Sequence, residues 1–271
     1  MKNATDGTHG THGTKSRRHG LCLALCLPFV PLVPLLAAPD LAKGLVAHYT
    51  FDKDASDSSG NGHDATAKGA EPVAEGKLGG AFAFDGTSGH VVVPPAVTKG
   101  LTWFSVALWF KTAQCAASAR TRFWSNPSLI GVSTGGWGSH DFGLMVENGK
   151  IAYFHGLQAE GTDMSWFSAA AVADDKWHHV ALVCEGPRMV LYLDGKLTRG
   201  EAIRNAGGGQ DSLGDQAQTA SGRALGAAGV FIGACNEGGR PAWHFRGLID
   251  DVRLWGRALS ADEVAALCGS K

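Results

Sequence analysis

The sequence predicts an all-β fold, a two-sheet antiparallel sandwich with a short C-terminal helix, and three observations carry this prediction. The 271 residues include 38 glycines, which is typical of a chain with many turns. Short runs in which apolar residues alternate with small or polar ones recur along most of the chain, as in half-buried strands. A helix pattern is found only near the end, at residues 260–267. Strands that have no helices to cover them bury their apolar faces by packing as two sheets.

The first strands are predicted at 44–51 (GLVAHYTF), 78–86 (LGGAFAFDG), 90–94 (HVVVP) and 105–112 (SVALWFKT). Between the first two, the segment ASDSSGNGHDA at 55–65 is too rich in turn residues for a regular element. The runs LGGAFAFDG and HVVVP predict a hairpin whose turn lies at residues 85–89. In SVALWFKT, alternation places Val106, Leu108 and Phe110 on one face of the strand.

The later strands are predicted at 128–132 (SLIGV), 142–155 (FGLMVENGKIAYFH), 176–197 (KWHHVALVCEGPRMVLYLDGKL), 229–235 (GVFIGAC) and 245–255 (FRGLIDDVRLW). The dipeptides at 148–149 (Asn-Gly) and 194–195 (Asp-Gly) are hairpin signals, so the chain is expected to meander here. Residues 205–226 are expected to form a long glycine-rich loop or insertion. Ser260 and Glu263 have the spacing of a capping box, which predicts the start of a short helix.

The N-terminal segment contains two regions that precede the domain. Residues 1–14 predict a disordered tail, because the low-complexity run THGTHGT has no means of burying a core. Residues 15–38 have a basic flank, an apolar run and small residues at the end, which is the form of a secretory signal peptide. The alternative is an uncleaved membrane anchor, which the three prolines of this run disfavour. Residues 41–268 are predicted to form one domain.

The composition excludes several classes of partner. Lys and Arg number 24 and Asp and Glu number 25, so the net charge is -1. Nucleic acids and acidic membranes attract clustered positive charge, and neither is expected as a partner. No glycine-rich loop is followed by the lysine and helix of a phosphate loop, so nucleotide binding is not expected either. Contact with a membrane is expected only through the signal segment, if it is not cleaved.

Four motifs, taken in order along the chain, resemble one known family. They are GLVAHYTFD with DSSGNGHDA, LGGAFAFDGTSGHVVVP, WHHVALVCEGPRMVLYLDGKL, and FRGLIDDVRLWGRALSADEV. The family is the laminin-G-like domain of the concanavalin A-like lectin and glucanase superfamily, in the form common in exported bacterial proteins. The resemblance implies a concanavalin A-like jelly-roll sandwich over nearly the whole mature chain. It does not choose among the lectins, adhesion modules, accessory domains and enzymes that share this fold.

The cysteines that remain after signal cleavage favour disulfides, because an even number in an exported chain usually pairs. They are Cys115, Cys184, Cys235 and Cys268. Three pairings are possible, and the alternative is buried free thiols. In the related pentraxins, a disulfide joins two strands similar to SVALWF and HHVALV. The corresponding positions here are Ala107 and Ala181, so these cysteines would have to pair otherwise.

The resemblance also implies a structural calcium ion near the loop DSSGNGHDA. Calcium binds six to eight hard oxygens, and this loop is dense in them. The expected ligands are Asp52, Asp57, Asn61, the main chain at His63, and Asp250. Of the two adjacent strand aspartates, Asp250 is assigned to the ion and Asp251 to solvent or the sheet edge, although the choice between them stays open. The alternative is that Asp57 and Asn61 only form Asx turns and Asp250 is an edge charge.

Catalysis is not expected from the acidic and histidine pairs. Glycosidases of this broad fold carry a Glu-x-Asp-x-Glu run, whose period places the side chains on one face of a strand. Here Asp250 and Asp251 are adjacent, so a regular strand would point them to opposite faces. His178 and His179 are also adjacent, so a regular strand would point them to opposite faces. One is therefore expected to be packed and the other solvated. The chain is therefore predicted not to be an enzyme, and the glycosidase alternative is disfavoured.

The tryptophans suggest a ligand surface. Trp103, Trp109, Trp177 and Trp255 lie in strand motifs and are expected in the core or sheets, whereas Trp124, Trp137, Trp166 and Trp243 lie in polar or glycine-rich segments. Loop tryptophans in an exported sandwich suit stacking on sugar rings, and nearby polar side chains could bind hydroxyls. The predicted ligand-binding residues are Trp124, Trp137, His140, Arg240 and Trp243. The alternative is that each ring only anchors its own loop.

These inferences lead to one functional hypothesis and one alternative. The chain is predicted to be an exported, calcium-stabilised, non-catalytic module that binds glycans. Its location would be the periplasm, the cell surface or the extracellular space. The alternative is a module for protein adhesion or surface structure that has no sugar site, with an extracellular or cell-surface protein as its partner.

Overall fold

The structure is a computed structural model that describes residues 38–115, 126–133, 141–155, 164–185, 188–198, 200–204, 210–211, 217–218 and 228–269. The described residues from Pro39 onward belong to one compact unit. The predicted tail at 1–14 and nearly all of the predicted signal peptide lie outside the described residues, and both stay predictions.

The first strands are β1 (Leu45–Tyr49), β2 (Thr66–Lys68), β3 (Glu71–Val73), β4 (Ala81–Asp85), β5 (His90–Val92), β6 (Trp103–Lys111), β7 (Ser128–Ser133), β8 (Phe142–Glu147), β9 (Lys150–His155) and β10 (Met164–Ala171). They are followed by β11 (Trp177–Glu185), β12 (Arg188–Leu193), β13 (Lys196–Leu197), β14 (Gly200–Arg204), β15 (Gln210–Asp211), β16 (Ala217–Gln218), β17 (Phe231–Ile232), β18 (Cys235–Glu237), β19 (Arg240–Ala242) and β20 (Arg246–Trp255). A short 3-10 helix, Pro95–Val97, precedes β6, and helix α1 (Ala261–Gly269) closes the chain.

The strands form two sheets, as predicted. The first sheet has the order β13-β12-β11-β6-β20-β4-β3, with β1 paired to β20 and β16 to β12. The second sheet has the order β15-β14-β10-β9-β8-β7-β17-β5-β2. In addition, β18 pairs with β7, and β19 pairs with β18. The described pairings are antiparallel except for β18 with β7 and a bridge between Ser128 and His244. The all-β sandwich with a short C-terminal helix is therefore confirmed.

The main core fills the space between the two sheets. Val106, Leu108 and Phe110 of β6 belong to it, as their alternation predicted. From the second sheet, Leu144 of β8 and Tyr153 of β9 point into the same cluster. Because β-strands alternate, the intervening residues of each strand lie on the two outer faces of the sandwich.

One predicted hairpin and one expected strand pairing are confirmed. β8 and β9 pair directly, and their turn residues Asn148 and Gly149 have φ values of +48° and +71°. Both therefore have the left-handed conformation that a two-residue hairpin favours. Ala107 and Ala181, the positions that correspond to the pentraxin disulfide, are direct cross-strand partners between β6 and β11.

The predicted hairpin at residues 85–89 is wrong. β4 lies in the first sheet, where it pairs with β20 and β3, whereas β5 lies in the second sheet. The connection between them is closed by Asp85, whose Oδ1 accepts N–H bonds from Thr87, Ser88 and Gly89 at 2.8, 2.8 and 2.9 Å. These bonds hold the pKa of Asp85 well below its usual value. The Asp-Gly signal thus marks a turn between the sheets rather than within one sheet.

Helix α1 begins with the predicted capping box. The N–H of Glu263 donates to Ser260 Oγ at 3.2 Å, and the N–H of Ser260 donates to Glu263 Oε2 at 2.7 Å. The guanidinium of Arg257 also binds the Glu263 carboxylate and lowers its pKa to about 2. Val264 and Leu267 of α1 cover part of the outer face of the first sheet. In the described part of the chain, no helix has the length and apolar character needed to cross a membrane.

The expected disulfides are not formed among the described residues, which include the four cysteines of the domain. The reason is their placement in different layers. Cys184 faces the main core, and its thiol lies 3.5 Å from the carbonyl of Thr102. Cys235 lies in a cluster on the outer face of the second sheet, where burial raises its pKa. Cys115 is exposed after β6, and Cys268 lies on α1.

Candidate functional site

The strand that carries the two adjacent aspartates, β20, contains a bulge between Asp250 and Arg253. Ile249 and Val252 both belong to the main core, so the two residues between them do not follow the alternation of a regular strand. Asp251 has a φ of +50°, a left-handed conformation that accommodates the extra residue. Both aspartates therefore lie on the outer face of the first sheet, and the expectation that they face opposite sides is wrong.

Asp250 closes the loop that precedes β4. Its carboxylate is fully buried, and Oδ2 accepts N–H bonds from Lys77 at 2.7 Å and Leu78 at 2.8 Å. Its Oδ1 is buried and has no hydrogen-bond partner among the described residues. Burial, with the neighbouring charge of Asp251, raises the pKa of Asp250 to about 6 although the two N–H bonds act in the opposite direction. Asp250 therefore faces residues 77–78 and not the loop at 57–64.

Asp251 is held by two basic side chains. Its Oδ1 lies 2.7 Å from His48 Nε2 and 2.9 Å from Arg253 Nη2, and the residue is only 8% exposed. Burial alone would raise the pKa of Asp251, but the hydrogen bond from His48 and the charge of Arg253 hold it below its usual value. The expectation that Asp251 faces solvent or a sheet edge is therefore wrong.

A compact polar cluster lies beside the two aspartates on the same face. The Lys77 ammonium is 4.6 Å from the centroid of the Trp109 indole, and the ring of His179 is 5.1 Å from that indole. Burial lowers the pKa of His179 to about 4, so its imidazole is neutral at pH 7. His178 lies on the opposite side of β11, near Phe110, so only one of the two histidines reaches this cluster. Trp109, His179 and the two aspartates are buried, Lys77 is exposed above the indole, and the carboxylates are held by structural contacts.

The loop at 55–65 is organised around Asp57. Oδ1 of Asp57 accepts N–H bonds from His48 at 3.0 Å and Ser59 at 2.9 Å. Its Oδ2 accepts the N–H of His63 at 3.0 Å and the hydroxyl of Ser59 at 2.8 Å. Burial raises the pKa of Asp57, but these bonds outweigh it and the pKa is lowered. The bond to Ser59 N–H is an Asx turn, as the alternative interpretation expects.

Of the other predicted calcium ligands, His63 contacts Asp57 through its N–H, whereas Asp52 and Asp250 bind residues 77–80 instead. The Asn61 amide donates to carbonyls of β1, and the carbonyl of His63 accepts the hydroxyl of Tyr49 at 2.9 Å. Oδ1 of Asp52 accepts the N–H of Gly80 at 2.7 Å. Across the described residues, no group of three His, Cys, Asp or Glu side chains could hold a metal ion. The predicted ligands therefore do not come together as one calcium site, and the prediction that follows from this geometry is a domain that is stable without calcium.

Trp243 forms the best-defined candidate ligand surface among the predicted residues. Its indole is half-buried against a small cluster on the outer face of the second sheet, formed by Met145, Ala152, Phe154 and Cys235. Its φ is +54°, an unfavourable conformation for a bulky residue. The Trp243 carbonyl accepts the N–H of Ser128 at 2.8 Å, which fixes the backbone to β7. The indole Nε1 is buried without a hydrogen-bond partner among the described residues.

Arg240 accompanies Trp243 on this face. It is exposed in β19, where it pairs with Glu237, while Ala242 pairs with Cys235. Alternation places Arg240 and Ala242 on one face of the hairpin, the face to which Cys235 also belongs. The other predicted ligand residues, Trp124, Trp137 and His140, lie outside the described residues.

A family model described as the concanavalin A-like lectin/glucanases superfamily, of laminin G type, matches residues 85–265. The chain belongs to this family. No protein of curated function matches the sequence. The match begins at Asp85 and ends within α1, so it includes both the bulged strand β20 and the Trp243 surface of this laminin-G-like domain.

Three solved structures share the fold of this laminin-G-like domain. Domain 4 of AbnA, a GH43 extracellular arabinanase from Geobacillus stearothermophilus, was solved with arabinotriose. It matches with a TM-score of 0.55 and 21% identity, over 83% of this chain and 98% of that one. The binding domain of botulinum neurotoxin DC, solved with rat synaptotagmin II, has a TM-score of 0.56 and 13% identity, over 84% and 52%. The binding domain of Paraclostridial Mosquitocidal Protein 1 has a TM-score of 0.53 and 13% identity, also over 84% and 52%. The chain spans about half of each toxin chain, and identities this low show the fold alone.

Sequence reasoning missed one exposed tryptophan of the laminin-G-like domain. Trp103 was expected in the core or sheets, yet it is 53% exposed. Trp109 and Trp255 are buried as expected. Trp166, expected in a loop, lies in β10. The exposure of Trp103 could have been predicted from its position as the first residue of β6, because the end of a strand is often less covered than its middle.

We expect removal of divalent cations to leave the stability of the laminin-G-like domain unchanged. A ligand that binds only the folded state raises the melting temperature. Asp57 already accepts four hydrogen bonds from protein donors, so the loop at 55–65 does not require a cation to hold its shape. The measurement is thermal unfolding by circular dichroism in EDTA and in added calcium. A higher melting temperature in calcium than in EDTA would contradict this expectation and support structural calcium.

Proposed function

We propose that this laminin-G-like domain is an exported, non-catalytic module that binds glycans. The observation that carries the proposal is Trp243, a strained residue whose indole packs on an outer sheet face, the face to which strand alternation also assigns the exposed Arg240. Strained backbone persists where the surrounding structure holds it, and it is concentrated at ligand sites. An aromatic face beside a guanidinium suits a sugar, which offers C–H groups on its ring face and hydroxyls at its edge.

The unpaired Nε1 of Trp243 adds a second reason. A buried donor without a partner costs about 1–3 kcal/mol, which adds to the strain that the structure maintains at Trp243. The floor of the site is apolar, which suits the less polar face of a sugar ring. The solved relatives are consistent with a binding role, since the AbnA domain was solved with arabinotriose.

The non-catalytic part of the proposal rests on the two strand aspartates. A glycosidase needs one carboxylic acid and one carboxylate at an accessible bond between sugars. Asp250 is fully buried against residues 77–78, and Asp251 is held by His48 and Arg253. Export is supported by the signal-like segment at 15–38, and it would place the domain in the periplasm, at the cell surface or outside the cell.

A glycan array tests the proposed function, with the full chain and the variants Trp243→Ala and Arg240→Ala. We expect Trp243→Ala to weaken binding at this face at least tenfold, which corresponds to about 1.4 kcal/mol. Arg240→Ala is expected to weaken it less, because a hydrogen bond at an exposed site contributes less than a desolvated aromatic contact. Circular dichroism controls for folding. Absence of any glycan binding by the wild type would sink the proposal.

The alternative function is protein adhesion. One solved relative of the same fold, the botulinum neurotoxin DC binding domain, was obtained in complex with rat synaptotagmin II. A chain that binds no glycan but binds an extracellular or cell-surface protein, with affinity lost on Trp243→Ala, would favour this alternative. The two functions therefore make opposite predictions for the array.

A further inference from the structure

Trp103 has an unusual position for a large aromatic residue. It is the first residue of β6, a strand whose next seven residues are buried, yet 53% of its surface is exposed. Among the described residues, the other exposed large hydrophobic residue is Leu197, at 41%. Leu197 lies in β13, opposite Tyr192 and away from the strand end that carries Trp103. The exposed indole is therefore an isolated ring rather than part of a broad apolar patch.

Trp103 begins a row of three side chains that crosses the end of the first sheet. Glu185 of β11 is directly opposite Trp103, and Arg188 of β12 is directly opposite Glu185. The residues next to these three along their strands are Phe104, Cys184 and Met189, and they belong to the main core. Alternation therefore places Trp103, Glu185 and Arg188 together on the outer face.

The polar members of the row have hydrogen-bonding capacity beyond their mutual contact. Arg188 Nη1 lies 2.8 Å from Glu185 Oε2, and both side chains are partly exposed. Neighbouring strands lie about 4.8 Å apart, so the row spans about 10 Å. That length accommodates about two sugar rings.

We propose that Trp103, Glu185 and Arg188 form a second glycan contact on the side of the sandwich opposite to Trp243. The indole stacks on the face of a sugar ring, and the carboxylate and guanidinium bind the hydroxyls of that ring or the next. This inference takes its ligand class from the proposed function, but it does not depend on Trp243. The size of the platform favours a sugar over a protein, because stable protein interfaces bury about 800 Å² on each partner.

The test is isothermal titration of the full chain with the oligosaccharide that binds most strongly on an array of immobilised neutral and acidic glycans. The variants are Trp103→Ala, Trp103→Phe, and the matched control Leu197→Ala, which removes the other exposed apolar side chain. We expect two bound molecules per wild-type chain and one per Trp103→Ala chain. Trp103→Phe retains a ring and is expected to keep both sites, with the Trp103 site weakened less than tenfold. Leu197→Ala is expected to match the wild type.

The outcomes separate this inference from the proposed function. Stoichiometry and affinity that are unchanged in Trp103→Ala overturn the second contact, and sensitivity to Trp243→Ala in the same assay would leave the proposed function intact. A single wild-type site that Trp103→Ala abolishes supports the contact and moves the glycan site away from Trp243. No binding by the wild type overturns both. Equal losses in Leu197→Ala and Trp103→Ala also overturn the contact, since they would indicate a general surface effect.

Discussion

Replacing Asp250 by asparagine is expected to stabilise the protein at neutral pH, by about 1–2 kcal/mol. The carboxylate is fully buried, and burial together with the charge of Asp251 raises its pKa from 3.8 to about 6. A shift of this size corresponds to a cost of about 3 kcal/mol for the ionised form. Asparagine removes the charge and keeps an oxygen that accepts the N–H bonds of Lys77 and Leu78. Its NH2 group takes the place of the unpaired Oδ1, which offsets part of the gain.

The gain of Asp250→Asn is expected to depend on pH in a defined direction. Because the folded-state pKa lies above the unfolded value, the folded protein binds more protons between pH 3.8 and about 6. The contribution of Asp250 to stability is therefore present below pH 3.8 and is lost as the pH rises through 6. Asparagine mimics the protonated form, so its advantage over the wild type should be full above pH 7 and nearly absent below pH 4.

The neighbouring substitution Asp251→Asn provides a matched control with the opposite sign. Asp251 is held by His48 and Arg253, and asparagine offers them only a neutral oxygen in place of the charged carboxylate that pairs with Arg253. Breaking a buried ion pair costs about 3–5 kcal/mol, and the partial exposure of these side chains reduces the expected loss to about 2–3 kcal/mol. Asparagine tolerates the φ of +50° at this position, so backbone strain does not confound the comparison.

Urea unfolding at pH 4, 6 and 8 measures both variants. Stabilisation by Asp250→Asn at pH 8 together with destabilisation by Asp251→Asn would establish that adjacent carboxylates on one face have opposite energetic roles. Losses of similar size in both variants at pH 8 would contradict the buried, raised-pKa environment of Asp250.

The sequence could predict the strands and their inward faces because these depend on local alternation. Val106, Leu108 and Phe110 lie in the main core, as their alternation along the strand predicted. The faces of Asp250 and Asp251 could not be predicted in this way. A bulge depends on the register between β20 and its partner β6, and a single extra residue is not visible in the alternation of one strand.

The sequence could also predict the turn at Asp85, because its hydrogen bonds are to near neighbours. It could not predict which strands the turn connects to. Asp85 turns the chain through bonds to the next residues, which its position before a glycine indicated. The same turn could join two strands of one sheet or pass from one sheet to the other, and the partners that decide this, β17 and β20, lie more than a hundred residues away.

The candidate sites show the same division between local and distant determinants. Asp57 forms an Asx turn, as the alternative to calcium binding expected, because such a turn involves only near neighbours, whereas the Asn61 amide instead donates to carbonyls of β1. Their assignment to one ion with Asp250 required a long-range contact, and Asp250 instead reaches residues 77–78. Exposure of Trp103 likewise depends on distant packing, because helix α1 covers the outer-face cluster that contains Ala107 and Val183, and Trp103 is not part of that cluster.

Gly247→Ala is expected to unfold the protein or to destabilise it by more than about 4 kcal/mol. Gly247 lies in β20 with a φ of +149°, a conformation that residues with a side chain rarely adopt. A methyl group there would overlap the carbonyl oxygen of Lys111 and approach the ring of Phe245 at 2.9 Å. Lys111 belongs to β6, which pairs with β20 and β11, so its backbone cannot withdraw without breaking the centre of the first sheet.

The matched control for Gly247→Ala is Gly60→Ala. Gly60 also has a positive φ, of +86°, but a methyl group there would meet nothing within 4 Å. Its replacement should therefore cost only the backbone conformation, about 1–2 kcal/mol. Urea unfolding and far-ultraviolet circular dichroism at 25 °C compare the two variants. The difference between them isolates the cost of the close approach between β20 and β6. If Gly247→Ala were no less stable than Gly60→Ala, the two strands would have to be further apart at this point than the structure places them.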